Sequence, residues 1–133
     1  MSEEKKIKVV LLEPGKLART AEIGTSIEDL QNAVDGLIEP FYPFEEQVCI
    51  VCNDEGKING MLPNRSVKNK DGVMVDFIFG PAFICDCRGE SFASLSDEQI
   101  ARYTKMFRYP EHLARLNGKL IGIPFNPQRE HER

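Results

Sequence analysis

The chain has 133 residues with a formal net charge of −4, and 41% of its residues are hydrophobic while 29% are charged. This composition is typical of one folded domain and excludes a disordered chain, and the acidic excess disfavours binding of duplex nucleic acid. The longest aliphatic run covers only residues 9–12, so we expect no membrane span. The charged first residues lack the apolar stretch of a secretory signal, and we therefore expect a cytoplasmic protein.

The first half of the chain is predicted to contain short strands around one helix. Residues 7–12 and 17–23 are expected to pair as a hairpin across the turn at Pro14-Gly15. Ser26 is a helix-capping residue, and Gly36 ends the apolar spacing behind it. Residues 37–44 are aromatic and interrupted by two prolines, which indicates an edge strand followed by a loop.

The second half is predicted to begin with a buried strand at residues 48–52, a turn at 53–56 and a return strand at 57–62. Residues 66–72 read as a polar loop. Two further strands, at residues 73–79 and 82–87, are joined by Gly80-Pro81, which predicts a sharp bend. These runs make strands the dominant element of the first two-thirds of the chain.

Helical signals are concentrated near the end of the chain. Ser96 and Gln99 have the spacing of a capping box, so a helix is expected to start there. A shorter helix is predicted from Pro110 to Gly118, followed by a last strand at residues 120–123. The fold class is therefore α+β: a single domain at residues 6–125 with a mostly antiparallel sheet and two or three helices. Residues 1–5 and 126–133 are expected to be frayed polar tails.

Four cysteines raise the question of a metal site. Cys49 and Cys52 have a zinc-like spacing, but on a strand residues three apart point to opposite faces of the sheet. Cys85 and Cys87 share a face of the next strand. The sequence favours reduced, buried thiols over a zinc site, which is the first alternative, and over a redox pair, which is the second.

A catalytic centre is not indicated by the sequence. The two histidines, His112 and His131, have no nucleophile motif beside them, and the chain has no phosphate-binding glycine loop. We therefore predict a protein that is not an enzyme and that uses no cofactor, with a hydrolase of unfamiliar type as the alternative.

Polar residues after the predicted hairpin form the main candidate binding site. Asn53 ends the buried strand, Asn64 and Arg65 follow the return strand, and amides and guanidinium groups are suited to phosphate or base edges. Lysines add local positive charge to an acidic protein. The predicted ligand-binding set is Asn53, Lys57, Asn64, Arg65 and Lys68. The alternative is that the asparagines serve turns and that the lysines are a solvated face.

The chain also resembles a known family, and the similarity covers roughly residues 6–107. The segments that carry the resemblance are Leu30-Gln31, residues 36–39, 42–45, 52–57 and 63–65, Asp76, Gly80 and residues 94–99. They are similar to the bacterial and phage domain of unknown function 3846. The resemblance implies an accessory protein of a phage or mobile element. Pro81 departs from the family pattern and removes a backbone N–H donor.

Two functions remain open from the sequence. The first is a small accessory protein that binds a phosphate-bearing ligand without chemistry and thereby sequesters a nucleotide immune signal of the host. The second is an interaction module in which Phe41, Tyr42 and Phe44 bind a host protein, inhibiting or recruiting it. The predicted partners are therefore a small anionic ligand or a host protein, with neither duplex nucleic acid nor a membrane. Whether the chain forms a homo-oligomer stays open.

Overall fold

The computed structural model describes residues 5–130, and in that part of the chain it contains nine strands and three helices. Of the predicted tails at residues 1–5 and 126–133, residues 1–4 and 131–133 lie outside the described residues. The strands are β1 (Lys6–Leu12), β2 (Arg19–Gly24), β3 (Ile38–Phe41), β4 (Val48–Asn53), β5 (Pro63–Lys68), β6 (Met74–Phe79), β7 (Ala82–Asp86), β8 (Glu111–Leu116) and β9 (Lys119–Pro124). The helices are α1 (Ile27–Val34), α2 (Asp97–Met106) and α3 (Pro127–Glu130).

The main sheet has five antiparallel strands in the order β2-β1-β7-β4-β3. The predicted hairpin of β1 and β2 is confirmed, with Ile7 opposite Ile23 and Leu11 opposite Arg19. The predicted edge strand is confirmed as β3, which contains Pro40 and pairs only with β4 within this sheet. Proline is tolerated there because an edge strand has one side without a ladder partner.

Both faces of the main sheet are covered, which explains the continuous apolar runs of its inner strands. On one face the alternate residues Val10, Ile50 and Ile84 pack with α2 and with the hairpin of β5 and β6. On the other face Val9, Cys49 and the rest of the alternate set pack against α1. A strand buried on both faces loses the polar alternation of a surface strand, as the segment 48–52 shows.

The two predicted helix starts are confirmed by their capping side chains. The Ser26 hydroxyl accepts a hydrogen bond from the Asp29 N–H at 3.0 Å. At α2 the Ser96 hydroxyl accepts from the Gln99 N–H, and the Gln99 side chain accepts from the Ser96 N–H, which completes the capping box. Each bond pairs a backbone N–H that the helix itself leaves unpaired.

The predicted hairpin between residues 48–52 and 57–62 is wrong. Residues 54–60 form successive turns, in which the Asn59 N–H donates to the Glu55 carbonyl, and no return strand lies beside β4. The chain instead enters β5, which pairs with β6 in a separate two-stranded sheet. The predicted loop at residues 66–72 accordingly begins with the last residues of β5. The strand β4 pairs with β3 and β7.

The predicted helix from Pro110 to Gly118 is also wrong, because these residues form β8 and the turn that leads into β9. Asn117 and Gly118 have φ values of 52° and 81°, the conformation of a tight two-residue hairpin turn. The register places Leu116 opposite Lys119 and Glu111 opposite Pro124. The predicted last strand at residues 120–123 is confirmed within β9.

The β8–β9 hairpin lies against the outer side of the β5–β6 pair and forms a third layer. Phe77 of β6 is buried beneath it, and an added Cβ at Gly122 would lie 3.2 Å from the Phe77 ring. The predicted fold class is confirmed: the molecule is a small α+β domain with antiparallel sheets. None of the helices in the described part of the chain has the length and apolar character that crossing a bilayer requires.

Candidate functional site

Arg65, the centre of the predicted site, is fully buried. Its guanidinium group donates five hydrogen bonds of 2.6–3.4 Å. Four of them end on backbone carbonyls and one ends on the Asn64 side chain. The carbonyls belong to Glu13, Lys16, Phe107 and Arg108. A guanidinium group has five N–H donors, so every donor of Arg65 is already bound within the protein.

The charge of Arg65 is held without a directly bonded carboxylate. Burial lowers the pKa of Arg65 to about 10, while the negative charges of Glu111 and Glu13 act in the opposite direction. The side chain is therefore still cationic at neutral pH, and carbonyl dipoles take the place of water around it. Arg65 joins the turn after β1 to the end of α2.

Asn64 and Asn53 also have structural partners. The Asn64 amide donates to the carbonyls of Leu12 and Gly80 at 3.0 and 2.8 Å. The Asn53 amide donates to the carbonyls of Val34 and Asp35 at the end of α1, and its oxygen accepts from the Glu55 N–H. Helix ends leave such carbonyls unpaired. Asn53 therefore caps α1 from the neighbouring strand.

The five predicted residues do not line one pocket. Asn53 and Lys57 line a concavity of about 210 Å³ with an acidic rim, where Lys57 pairs with Asp76 at 2.9 Å. Lys68 lies at a different, larger groove. Asn64 and Arg65 line neither of these two and are fully buried. The expectation that both asparagines and Arg65 form one accessible cluster is corrected, because the predicted hairpin that would have brought them together does not exist.

The larger feature is a groove of about 950 Å³ between α2, the loop before β4 and the turn after β5. We call it the α2 groove. Its apolar side is formed by the aromatic and sulfur side chains Phe44, Tyr103, Met106 and Phe107. Its basic residues are Lys68, Lys70 and Arg102, and its acidic residues are Glu45, Glu46 and Glu111. The predicted Lys68 therefore lies in this groove with residues that the sequence did not single out.

Glu46 joins the loop before β4 to α2 by hydrogen bonds and so holds one wall of the α2 groove in place. Its carboxylate accepts hydrogen bonds from Tyr103, Arg102 and Gln99, the last at 3.0 Å. The hydrogen bond from Tyr103 is the main cause that lowers the pKa of Glu46. Burial raises the pKa of Tyr103, and the same hydrogen bond raises it further. These three helix residues lie at positions i, i+3 and i+4, so they share one face of α2. This i, i+3, i+4 spacing is the feature of the sequence that indicates a polar cluster on α2.

Glu111 lines the α2 groove and is hydrogen-bonded to Ser66 of β5. Its carboxylate accepts from both the N–H and the hydroxyl of Ser66, at 3.0 and 2.7 Å. The same oxygen lies 2.0 Å from the ideal position of a Cβ atom at residue 122. This distance is too short for a side chain, which explains the glycine there. The third layer therefore contributes one side chain to the groove and joins it to β5.

The cysteines lie as the strand pattern predicted. Cys49 belongs to the core cluster under α1, while Cys52 packs against the opposite cluster. Cys49 and Cys85 are register partners on adjacent strands, and their sulfur atoms are 3.8 Å apart. Within residues 5–130, no three side chains of the His, Cys, Asp or Glu type are arranged to hold a metal ion.

The aromatic residues of the alternative function are placed differently from one another. Phe44 packs on Tyr103 with ring centroids 4.7 Å apart, and Phe41 contacts the same core cluster. Only Tyr42 is largely exposed, at 64% of its surface. The proposed aromatic surface is therefore reduced to Tyr42 beside the edge strand β3.

Comparison with known proteins finds one family. The model of a family described as "Domain of unknown function (DUF3846)" matches residues 7–108. No curated protein and no solved structure matches the chain. The matched region contains the main sheet, the β5–β6 pair and α2, and it ends before β8 and β9.

Proposed function

Because this chain belongs to the domain of unknown function 3846 family, whose description carries no activity, we propose a function from its site: it binds a small phosphate-bearing ligand in the α2 groove without chemical conversion. The observation that carries this proposal is the position of basic side chains beside an apolar wall. Lys68 is the most available of them, since no ion pair joins it to another described residue. An apolar wall with a nearby cation suits a ligand that has both a ring and a phosphate.

The three acidic residues of the groove repel a bound anion only weakly, because each of them already has a partner within the protein. Glu46 is held by three donors, and Glu111 is turned toward Ser66. Glu45 lies 3.9 Å from Lys70, and both side chains are more than four-fifths exposed, so this pair is weak. A phosphate could therefore compete with Glu45 for Lys70, and Lys68 needs no partner to be displaced.

The size of the groove agrees with this class of ligand. Small-molecule sites occupy roughly 300–1,000 Å³, and the α2 groove is at the upper end of that range. Its possible acid–base groups, Tyr103 and Glu46, are hydrogen-bonded to each other and hold the wall in place. Their commitment supports binding rather than catalysis.

The proposal extends to the setting of the protein. The family resemblance implies a phage or mobile-element protein, and a cytoplasmic binder without chemistry would act by sequestering its ligand. We therefore include a nucleotide immune signal of a bacterial host as the ligand class to be tested first.

Calorimetric titration with linear and cyclic nucleotides, with the matching nucleosides and with inorganic phosphate tests the proposal. We expect wild-type protein to bind at least one nucleotide. Lys68→Ala should weaken it roughly tenfold or more, the value of one charge-assisted contact. Lys57→Ala is the matched control, because it removes the same charge at the other concavity. Equal affinity of the Lys68→Ala and wild-type proteins would contradict this site.

One observation favours a second candidate, a protein-interaction module. Tyr42 is exposed directly after the edge strand β3. An exposed tyrosine beside an edge strand is suited to a partner that packs on that edge. If none of the nucleotides binds while Tyr42→Ala abolishes a host-protein complex, the interaction function is the better one.

A further inference from the structure

The three cysteines on the α1 side of the main sheet form a group that the proposed function does not use. Cys49 and Cys85 face each other across β4 and β7 with their sulfur atoms 3.8 Å apart, and both are fully buried. Cys87 follows β7, continues the ladder through its N–H to the Gln47 carbonyl, and packs on the same cluster. It is only partly buried, so it is the thiol of the three that solvent reaches.

We propose that these cysteines are an oxidative modification site at which a peroxide produces a disulfide between Cys49 and Cys85, with Cys87 as the entry thiol. Directly opposed residues of antiparallel strands have Cα atoms roughly 4.5–5.5 Å apart, within the range that a disulfide requires. The sulfur atoms must approach from 3.8 Å to about 2.05 Å. Rotation of the two side chains supplies such a movement without a change in strand pairing.

The reaction balances in three steps. Peroxide transfers one oxygen atom to the Cys87 thiol, which becomes a sulfenic acid while water is released. The Cys49 thiolate attacks that sulfur, a disulfide bond forms, and hydroxide leaves and takes up a proton as water. The Cys85 thiolate then attacks the Cys49 sulfur, and Cys87 leaves and is protonated again. Two cysteine sulfurs are oxidised, and the peroxide is reduced to water.

The surroundings assign these roles. Cys49 is the nucleophile, because the hydrogen bond from the Cys85 thiol lowers the pKa of Cys49. Burial raises the pKa of Cys87 to about 11, so its first oxidation is slow. The hydrogen bond to Cys49, followed by burial, raises the pKa of Cys85, which therefore reacts last. The fourth cysteine, Cys52, lies on the other face of the sheet and is an internal control.

The experiment treats the whole folded protein with hydrogen peroxide, alkylates the remaining thiols and maps the disulfides by mass spectrometry. In wild type we expect the Cys49–Cys85 disulfide, with Cys52 and Cys87 alkylated. Cys52→Ser should give the same product at the same rate. Cys87→Ser should slow the reaction at least about tenfold, because the entry thiol is lost. Cys85→Ser should stop at a Cys49–Cys87 disulfide.

Two results would overturn the proposal. One is a wild-type protein whose cysteines are all alkylated after treatment, or whose disulfide includes Cys52. The other is a Cys87→Ser protein that forms the Cys49–Cys85 disulfide as fast as wild type. Since Cys87 is only partly buried, this variant is expected to fold, and the test does not depend on a change in the core.

Discussion

Arg65 shows how one side chain can organise distant parts of this fold. It lies on β5, yet its hydrogen bonds reach backbone carbonyls 42–52 residues away in the chain. Those carbonyls lie in two segments, at residues 13–16 and 107–108. A buried guanidinium group with all donors satisfied fixes its neighbours, whereas a partly satisfied one would be costly.

Replacement of Arg65 should therefore destabilise the fold rather than only remove a binding group. We expect Arg65→Met to lower the free energy of unfolding by roughly 3–5 kcal/mol, because the carbonyls and the Asn64 oxygen lose their donors. Urea denaturation followed by circular dichroism measures this. Arg19→Met is the control, since Arg19 is exposed and bonds only to Glu13 among the described residues. Similar losses for the two variants would contradict the role given to Arg65.

Glu46 gives a prediction about acid stability. Its pKa in the folded protein lies below the ordinary value of 4.5, so the folded state holds fewer protons than the unfolded state in that range. The resulting stabilisation is present above pH 4.5 and is lost as the pH falls through the lowered pKa. We expect Glu46→Gln to show a smaller loss of stability than wild type between pH 5 and pH 3, roughly the range of carboxylate titration.

The neighbouring residue provides the control for Glu46. Glu45→Gln removes a carboxylate whose side chain is 88% exposed and which is 3.9 Å from Lys70. Its dependence of unfolding free energy on pH should follow that of wild type. The same acid dependence in wild type and in Glu46→Gln would show that the wall of the α2 groove is not held by this carboxylate.

At the scale of elements, the β8–β9 hairpin depends on its turn. Gly118 has a φ of 81°, a conformation that a side chain disfavours. We expect Gly118→Ala to lower the free energy of unfolding by roughly 1–2 kcal/mol. Gly89→Ala is the matched control, because Gly89 has no positive φ and an added Cβ there meets no atom within 4 Å. A loss as large in the control would argue against strain at Gly118.

The elements also show which parts of the fold the sequence could predict. The strands β1 and β4 and the capping box of α2 carry local signals, and these predictions are confirmed. The Asn117-Gly118 pair is an equally local signal and indicates a hairpin. Leu113 and Leu116 have the spacing of an apolar helix face, and this spacing favours the wrong element there. The partner of β4 could not be found in the same way, because β7 lies some thirty residues later and both strands are uniformly apolar.

The candidate site was less predictable than the fold for a related reason. Asn53, Asn64 and Arg65 have the chemistry of ligand-binding groups. Nothing in their spacing along the sequence indicates that their N–H donors are already bonded to backbone carbonyls. The charge of Lys68 predicts a binding role, and this residue does line the α2 groove. The helical spacing of the sequence is sufficient to place Arg102 and Tyr103 on one face of a helix. Their partner Glu46 is separated from them by more than fifty residues, so the sequence does not indicate the contact.

For the whole molecule, the third layer is expected to be part of the stable fold although the family match ends at residue 108. A chain that ends after Tyr109 would expose Phe77, whose burial stabilises the protein by roughly 2–3 kcal/mol, and Ser66 would lose Glu111. We expect a clearly lower thermal midpoint by circular dichroism. A chain that ends after Asn126 keeps the hairpin and should melt like the full chain. Equal midpoints for the two truncations would contradict this role.

The order of the strands in the main sheet has a consequence for synthesis. The strand β7 lies between β1 and β4, and it is the last of the five in the chain. Until β7 has emerged, the pair of β1 and β2 and the pair of β3 and β4 can each form, but the strand that joins them is missing. The nascent chain can therefore complete its central sheet only after Asp86 has left the exit tunnel, and until then the inner edges of both pairs stay open to chaperones.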